Sequence, residues 1–295
     1  MLIIDHDCEG SLPGGFFSKF LIVLDWIHNS IYQNEKVFVN WNCLGKLDHN
    51  IWDYLFEEPQ LDYDETNRTI NLFNYRFYHG DYVYSKIHEI LPKYHDYGGK
   101  FWNNPEIFTD ENFQILRDEY NKSWNKIIVK EHVNENIQKY LNNFGNKTLG
   151  VTVRIPLHYT YNQPEGEDSI SKRMSPEHYY EQIYQEIKNE FDSNEYDKIF
   201  VACDVDYFIK LMVDRFGEDK IIFTDYKRVN GLDQDWIEKK LTFKEEYFLI
   251  LSDALLLSKC DLIMGGSSNI FLGTLFINNK TKFKIFNTLK GTYGC

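Results

Sequence analysis

A chain of 295 residues that is 43% apolar and 17% aromatic can bury one large α/β core or two of ordinary size, which argues against a disordered or fibrous protein. Its net charge of −13, with Lys and Arg scattered, argues against a nucleic-acid surface, because phosphate backbones are held by clustered cations. The five cysteines, far apart and without a CxxC pair, fit neither a disulfide framework nor a zinc site. No run approaches the roughly 20 apolar residues of a membrane helix and no basic-then-apolar leader precedes Asp5, so the expectation is a cytoplasmic protein without a transmembrane segment.

Leu2-Ile3-Ile4 predicts a first strand. A loop over 5–15, rich in glycine and carboxylates, leads into a helix with Phe17, Phe20, Leu21, Leu24, Ile27 and Ile31 on one face, and residues 37–39 follow as a strand. This βαβ opening lacks GxGxxG, so no dinucleotide fingerprint is present. Its first loop nevertheless sits where α/β proteins place function.

Over 44–144 the pattern predicts a helix near 51–56, a strand near 69–73, and helices over 82–91, 113–124 and 133–144. The many Tyr, Trp and Asn residues here, including the 94–99 loop, either line a sugar-binding cleft or are ordinary core and surface. Residues 142–147, polar and carrying Gly145, form the best linker and divide the chain into 1–146 and 147–295.

The second half restarts the rhythm. A strand over 149–154 precedes a helix opened by Ser175 with Pro176 at its first position, then come a strand over 198–202, a helix over 205–216 stopped by Gly217, and a strand over 221–224. A helix over 245–258, a strand over 262–264, the turn Gly265-Gly266-Ser267-Ser268, a helix through Phe271, Leu272 and Leu275, and a strand over 283–286 complete it. Two βα-rich halves predict an α/β fold of two Rossmann-like domains facing a cleft.

Chemistry is expected at the carboxyl ends of the strands. Gly265-Gly266-Ser267-Ser268 before a helix is either a phosphate cradle or a simple helix cap. Arg154 ends the strand GVTVR, where a guanidinium either binds phosphate oxygens through two parallel hydrogen bonds or forms a surface ion pair. The polar loop 155–173 brings His158, Tyr159, Tyr161, Lys172 and Arg173 and is long enough to be a lid. Asp204, after the strand FVAC, reads as the cap of the following helix ahead of a ligand role. Asp253 lies among leucines, where an unpaired carboxylate is costly, so it needs a donor: an internal Arg, backbone, or the edge of a bound base.

The order G-V-x-V-R, then F-V-A-x-D, then L-S-D-x-x-x-L-S-x-C-D-L-I-x-G-x-S-S-N resembles the three motifs of the GDP-fucose-dependent fucosyltransferases, which include α1,2-, α1,6- and protein O-fucosyltransferases. Gly14-Gly15-Phe16 before a helix resembles their G-G-F-G-N-Q-type loop. The resemblance implies a GT-B fold, with residues 1–146 on the acceptor side and 147–295 holding the nucleotide sugar. It implies inverting transfer of fucose from GDP-fucose to a glycan or peptide hydroxyl, with no metal cofactor. By position it places Arg154 on the diphosphate, Asp253 on the guanine edge, and Ser267, Ser268 and Asn269 on the phosphates, with Gly14, Gly15 and His158 at the donor.

Glu9, in the first loop, is the candidate general base, with Asp5 and Asp7 as alternatives or all as solvated carboxylates. The first motif, commonly H-x-R-R/G-x-D, reads Thr152-Val153-Arg154-Ile155-Pro156-Leu157, so its His and Asp are missing while Arg154 is kept. A non-catalytic relative that binds a nucleotide or glycan is the alternative. A dehydrogenase or epimerase on a single Rossmann fold is a third reading, without its GxGxxG and YxxxK.

Overall fold

The computed structural model describes residues 2–5, 16–33, 37–41, 50–58, 68–71, 108–109, 111–153, 176–228, 242–266 and 268–286. Strands β1 (Leu2–Asp5), β2 (Val37–Asn40) and β3 (Arg68–Asn71) form a parallel sheet in the order β2-β1-β3, with α1 (Phe16–Gln33) between β1 and β2 and α2 (Ile51–Leu55) after β2. Helices α3 (Phe113–Trp124) and α4 (Glu131–Leu141) lead to the second sheet. Its strands are β4 (Thr148–Val153), β5 (Lys198–Cys203), β6 (Ile221–Ile222), β7 (Leu262–Gly265) and β8 (Lys282–Ile285), all parallel, in the order β6-β5-β4-β7-β8. The crossovers carry α5 (Pro176–Asn194), α6 (Asp206–Phe216), α7 (Phe243–Leu257) and α8 (Asn269–Ile277).

Strands β4 to β7 are buried on both faces, which is why they read as largely continuous apolar runs, whereas the edge strand β8, KFKI, alternates exposed lysines with half-buried apolar residues. Leu149, Val151, Val153, Ile199 and Val201 pack with Tyr180, Ile183 and Ile187 of α5 and Phe208 and Met212 of α6. Phe200, Ala202 and Ile263, on the opposite face, pack with Leu251, Ala254 and Leu255 of α7 and with α8. That second apolar cluster continues into the first half without a break, through Phe16, Phe17, Phe20 and Leu24 of α1 and Leu116 and Tyr120 of α3. Helix α1 is therefore a central element, packed against α3, α7 and α8.

Where α1 meets α3, His28 Nε2 lies 2.9 Å from Glu119 Oε2, with Tyr32 and Lys122 donating to the same carboxylate. Burial pushes the His28 imidazole below its usual value. Burial alone would raise the Glu119 carboxyl, but hydrogen bonds from Lys122, His28 and Tyr32 pull it down to about 2. The pair is thus a neutral imidazole donating Nε2–H to a carboxylate.

Most element boundaries fall where the pattern places them, and the differences have local causes. Gly217 ends α6 at φ 95°, and its N–H reaches Val213 O at 2.9 Å. Helix α7 starts at Phe243, ahead of the apolar pattern, because Thr242 and Glu245 form a reciprocal capping box. Strand β6 stops at Ile222 instead of 224, because Thr224 O is taken by Arg228 and by the Tyr226 N–H and is lost to the ladder. Val205, one residue after Asp204, is the N-cap of α6, and its own side chain makes no capping hydrogen bond. The helix expected over 82–91 and the loop 155–173 lie outside the described residues. Among the described residues no helix is long and apolar enough to cross a membrane.

Candidate functional site

In the second sheet the chain runs outward from β4 to β5 and β6, then returns to the other side of β4 for β7 and β8. The order therefore reverses between β4 and β7, and in open parallel sheets ligands bind beyond the carboxyl ends of strands at such a reversal. Thr152 of β4 pairs with Gly265 of β7 at this end. A Cβ on Gly265 would lie 2.5 Å from Cδ2 of Phe271 and 2.7 Å from Cγ2 of Thr152, so only glycine permits this approach of strand and helix.

Beyond Gly266, Ser268 is the N-cap of α8, its hydroxyl accepting from the Phe271 N–H at 3.4 Å. The capping half of the expectation for this turn is realised by Ser268. The first-turn N–H groups of Asn269 and Ile270 have no carbonyl partner inside the helix and give this end a positive potential. Residues 270–277 of α8 are all buried, so the helix is wedged in the core with its N-terminus at the sheet's carboxyl edge. Arg154 follows Val153, the last residue of β4, in sequence; Arg154, His158 and Ser267 lie outside the described residues.

The first half reaches the same place through α1. Phe17 packs against Gly273 of α8 so closely that a Cβ there would lie 2.3 Å from Cδ1 of the ring. Phe16 lies 5.4 Å from the Trp41 ring and 5.2 Å from that of Tyr247 on α7. Lys19 Nζ donates to Tyr247 Oη at 3.2 Å. The start of α1 is thus held between α7 and α8. Glu9, Gly14 and Gly15, in the loop that delivers the chain to Phe16, lie outside the described residues.

A buried polar network flanks the ends of β5 and β6. Asp253, 3% exposed on α7, accepts from Thr224 Oγ1 at 2.7 Å and from Tyr226 Oη at 3.1 Å. Arg228 donates to Cys203 O at 2.9 Å, Thr224 O at 2.6 Å and Tyr226 O at 3.2 Å, with its guanidinium over the Tyr226 ring at 4.2 Å. Of the three kinds of donor foreseen for Asp253, the structure supplies internal side chains, but hydroxyls in place of a direct Arg bond. Burial pushes the Asp253 carboxyl up to about 6, against the pull of Thr224, Arg228 and Tyr226, and neighbouring Asp204 adds to the rise. Burial likewise holds the Tyr226 phenol well above its usual value. Sequence reasoning does not single out Thr224, Tyr226 and Arg228 as functional, although T-D-Y-K-R, starting on the last residue of the strand expected over 221–224, is the available signal.

No protein-family model matches this sequence, and no curated protein matches it. Solved structures do. NodZ alpha-1,6-fucosyltransferase co-crystallized with GDP superposes with a TM-score of 0.53 at 12% identity, over 96% of this chain and 93% of that one. POFUT1 in complex with GDP gives 0.51 at 11% identity, over 97% and 98%, and fucosyltransferase NodZ from Bradyrhizobium gives 0.50 at 11%, over 97% and 96%. The fold is that of the GT-B fucosyltransferases.

The fucosyltransferase fold thus embraces nearly the whole chain, both sheets included, and meets the α/β expectation. At this identity the likeness concerns fold, and function has to be argued from the site.

Proposed function

We propose that this chain is an inverting, metal-independent glycosyltransferase that moves fucose from GDP-fucose to a glycan or peptide hydroxyl. The observation that supports this reading is the reversal of strand order at β4 and β7, with the N-terminus of α8 just beyond, on a fold shared with chains crystallised with GDP. Residues 147–295 hold the donor and 1–146 face the acceptor. Arg154 and the first-turn N–H groups of α8, with Ser267, Ser268 and Asn269, offset the charge that grows on the diphosphate as the sugar leaves. Gly14 and Gly15 let the first loop approach the donor, and His158 stands in for the imidazole missing from the first motif. Asp253 serves the guanine edge, since each carboxylate oxygen that accepts one hydroxyl keeps a further acceptor position.

The test is donor binding and turnover. Titration of folded Arg154→Ala with GDP should show affinity weakened by about 1.5–3 kcal/mol, the range of a charge-assisted hydrogen bond. Unchanged affinity would remove Arg154 from the site. Because cationic side chains and a helix terminus supply the positive charge, release of GDP from GDP-fucose should continue in excess EDTA. Activity abolished by EDTA and restored by Mn²⁺ or Mg²⁺ would contradict metal independence. The absent His and Asp of the first motif favour a second reading, a relative that binds the nucleotide without turnover. It predicts GDP binding with no consumption of GDP-fucose, with or without glycan and peptide acceptors.

A further inference from the structure

Helix α3 belongs to the first half of the chain, yet its polar row reads the far end of α8. Gln114, Arg117, Asp118 and Asn121 recur at spacings of three and four and so share one face. Arg117, 4% exposed, donates Nε to Leu275 O at 3.4 Å and Nη2 to Asn278 O at 3.1 Å and Thr281 O at 2.7 Å. Asn121 Nδ2 donates to Phe276 O and Ile277 O, both at 2.9 Å. Gln114 Nε2 donates to Asn279 O at 3.1 Å, and Asn279 Nδ2 returns a bond to Asp118 Oδ1 at 2.7 Å. Between these polar ties the Tyr120 ring stacks on Phe276 at 4.3 Å and 11°.

The carbonyls that a helix C-terminus leaves without partners are therefore taken up by α3. Burial lowers the Arg117 pKa only to about 10, so the guanidinium stays charged at neutral pH and faces the negative pole of the α8 dipole. The opposite, positive pole is the Ser268-capped N-terminus beyond β7. With Phe17 lodged against Gly273 at mid-helix, a nine-residue rod about 13 Å long is pinned at its far end and at its waist. Such a rod has its N-terminus placed to within the tolerance of those contacts, and the attraction of its first-turn N–H groups for an anion falls off steeply with displacement.

We infer that Arg117, with Asn121, is a positioning residue for the donor diphosphate: it sets where the α8 N-terminus meets the phosphates and ties that position to the acceptor half of the chain. This rests on the donor reading above. A merely structural role would lower stability and weaken every ligand alike, whereas a role through α8 acts on the phosphates and spares the base.

The experiment is calorimetric titration of wild type, Arg117→Met, Arg117→Lys and Asn121→Ser with GDP and, separately, with guanosine. The expected result is GDP affinity weakened about tenfold in Arg117→Met with guanosine affinity unchanged, partial recovery in Arg117→Lys, and a smaller GDP-specific loss in Asn121→Ser. Should Arg117→Met fail to fold, the Lys and Ser variants carry the same comparison. Equal losses for GDP and guanosine, or wild-type GDP affinity in the folded variants, overturns the inference while leaving the donor reading standing. A wild-type protein that binds neither GDP nor guanosine overturns both.

Discussion

Replacing Asp253 with asparagine is expected to raise stability at about pH 8 by about 3 kcal/mol and to bring no gain below about pH 4. The carboxyl is buried, and its pKa is pushed from 3.8 up to about 6, first by burial and further by Asp204. The folded state therefore binds the proton more tightly than the unfolded state. The resulting stabilisation is complete below the unfolded value and lost as the pH rises through about 6, so at neutral pH the ionised carboxylate is carried at a cost. Asparagine keeps the shape and an acceptor for one hydroxyl, and its NH2 can donate to the oxygen of the other. Titration of His28 and Glu119 also bends the pH profile, in the opposite sense, but is common to both proteins and cancels in their difference. Urea unfolding of the two proteins at about pH 4, 6 and 8 measures it. An asparagine variant less stable than wild type at pH 8 would show that the hydroxyls and Arg228 more than repay the burial. With Asp253 proposed to serve the guanine edge, the same variant is expected to lose GDP affinity as it gains stability.

The second sheet was legible because strands buried on both faces spell continuous apolar runs, LIMG and KIFVAC among them, between glycine and charged punctuation. Gly217 was legible as a stop because a positive φ there demands glycine. The Asp253 network was only half visible. The carboxylate stood out among leucines, but its partners Thr224 and Tyr226 lie 29 and 27 residues away in an irregular segment with no periodicity to mark them. The clamp on α8 was not visible at all: Arg117 lies 158 to 164 residues from the carbonyls it caps, and on α3 it reads as one more polar residue of an amphipathic face. A division of the chain at 146 carries no hint that the core runs unbroken from α1 and α3 into α7 and α8.

The largest expected effect on activity is at Glu9. In inverting transfer, a base removes the proton of the attacking hydroxyl while the anomeric carbon is approached from the face opposite the diphosphate, so the base belongs to the acceptor side of the cleft. In sequence, the stretch 6–15 connects two described elements. It leaves the carboxyl end of β1, the central strand of the first sheet, where Asp5 pairs with Asn40 and Asn71. It rejoins at Phe16, lodged against Trp41 and Tyr247, one residue before Phe17 meets α8. Asp7 and Glu9 are the carboxylates in the sequence between these two points, and Glu9 is the one followed directly by glycine. Glu9→Gln keeps size and hydrogen bonding but cannot take up a proton. It is expected to leave GDP affinity intact and lower kcat by about 10²–10⁴-fold, with the acidic limb of the pH–rate profile lost. Steady-state kinetics with GDP-fucose, beside GDP titration of the same variant, separates this from a binding defect, because a loss confined to kcat marks an interaction made in the transition state alone. Normal turnover by Glu9→Gln would exclude it as the base, and Asp7→Asn is then the variant in which the same loss should appear.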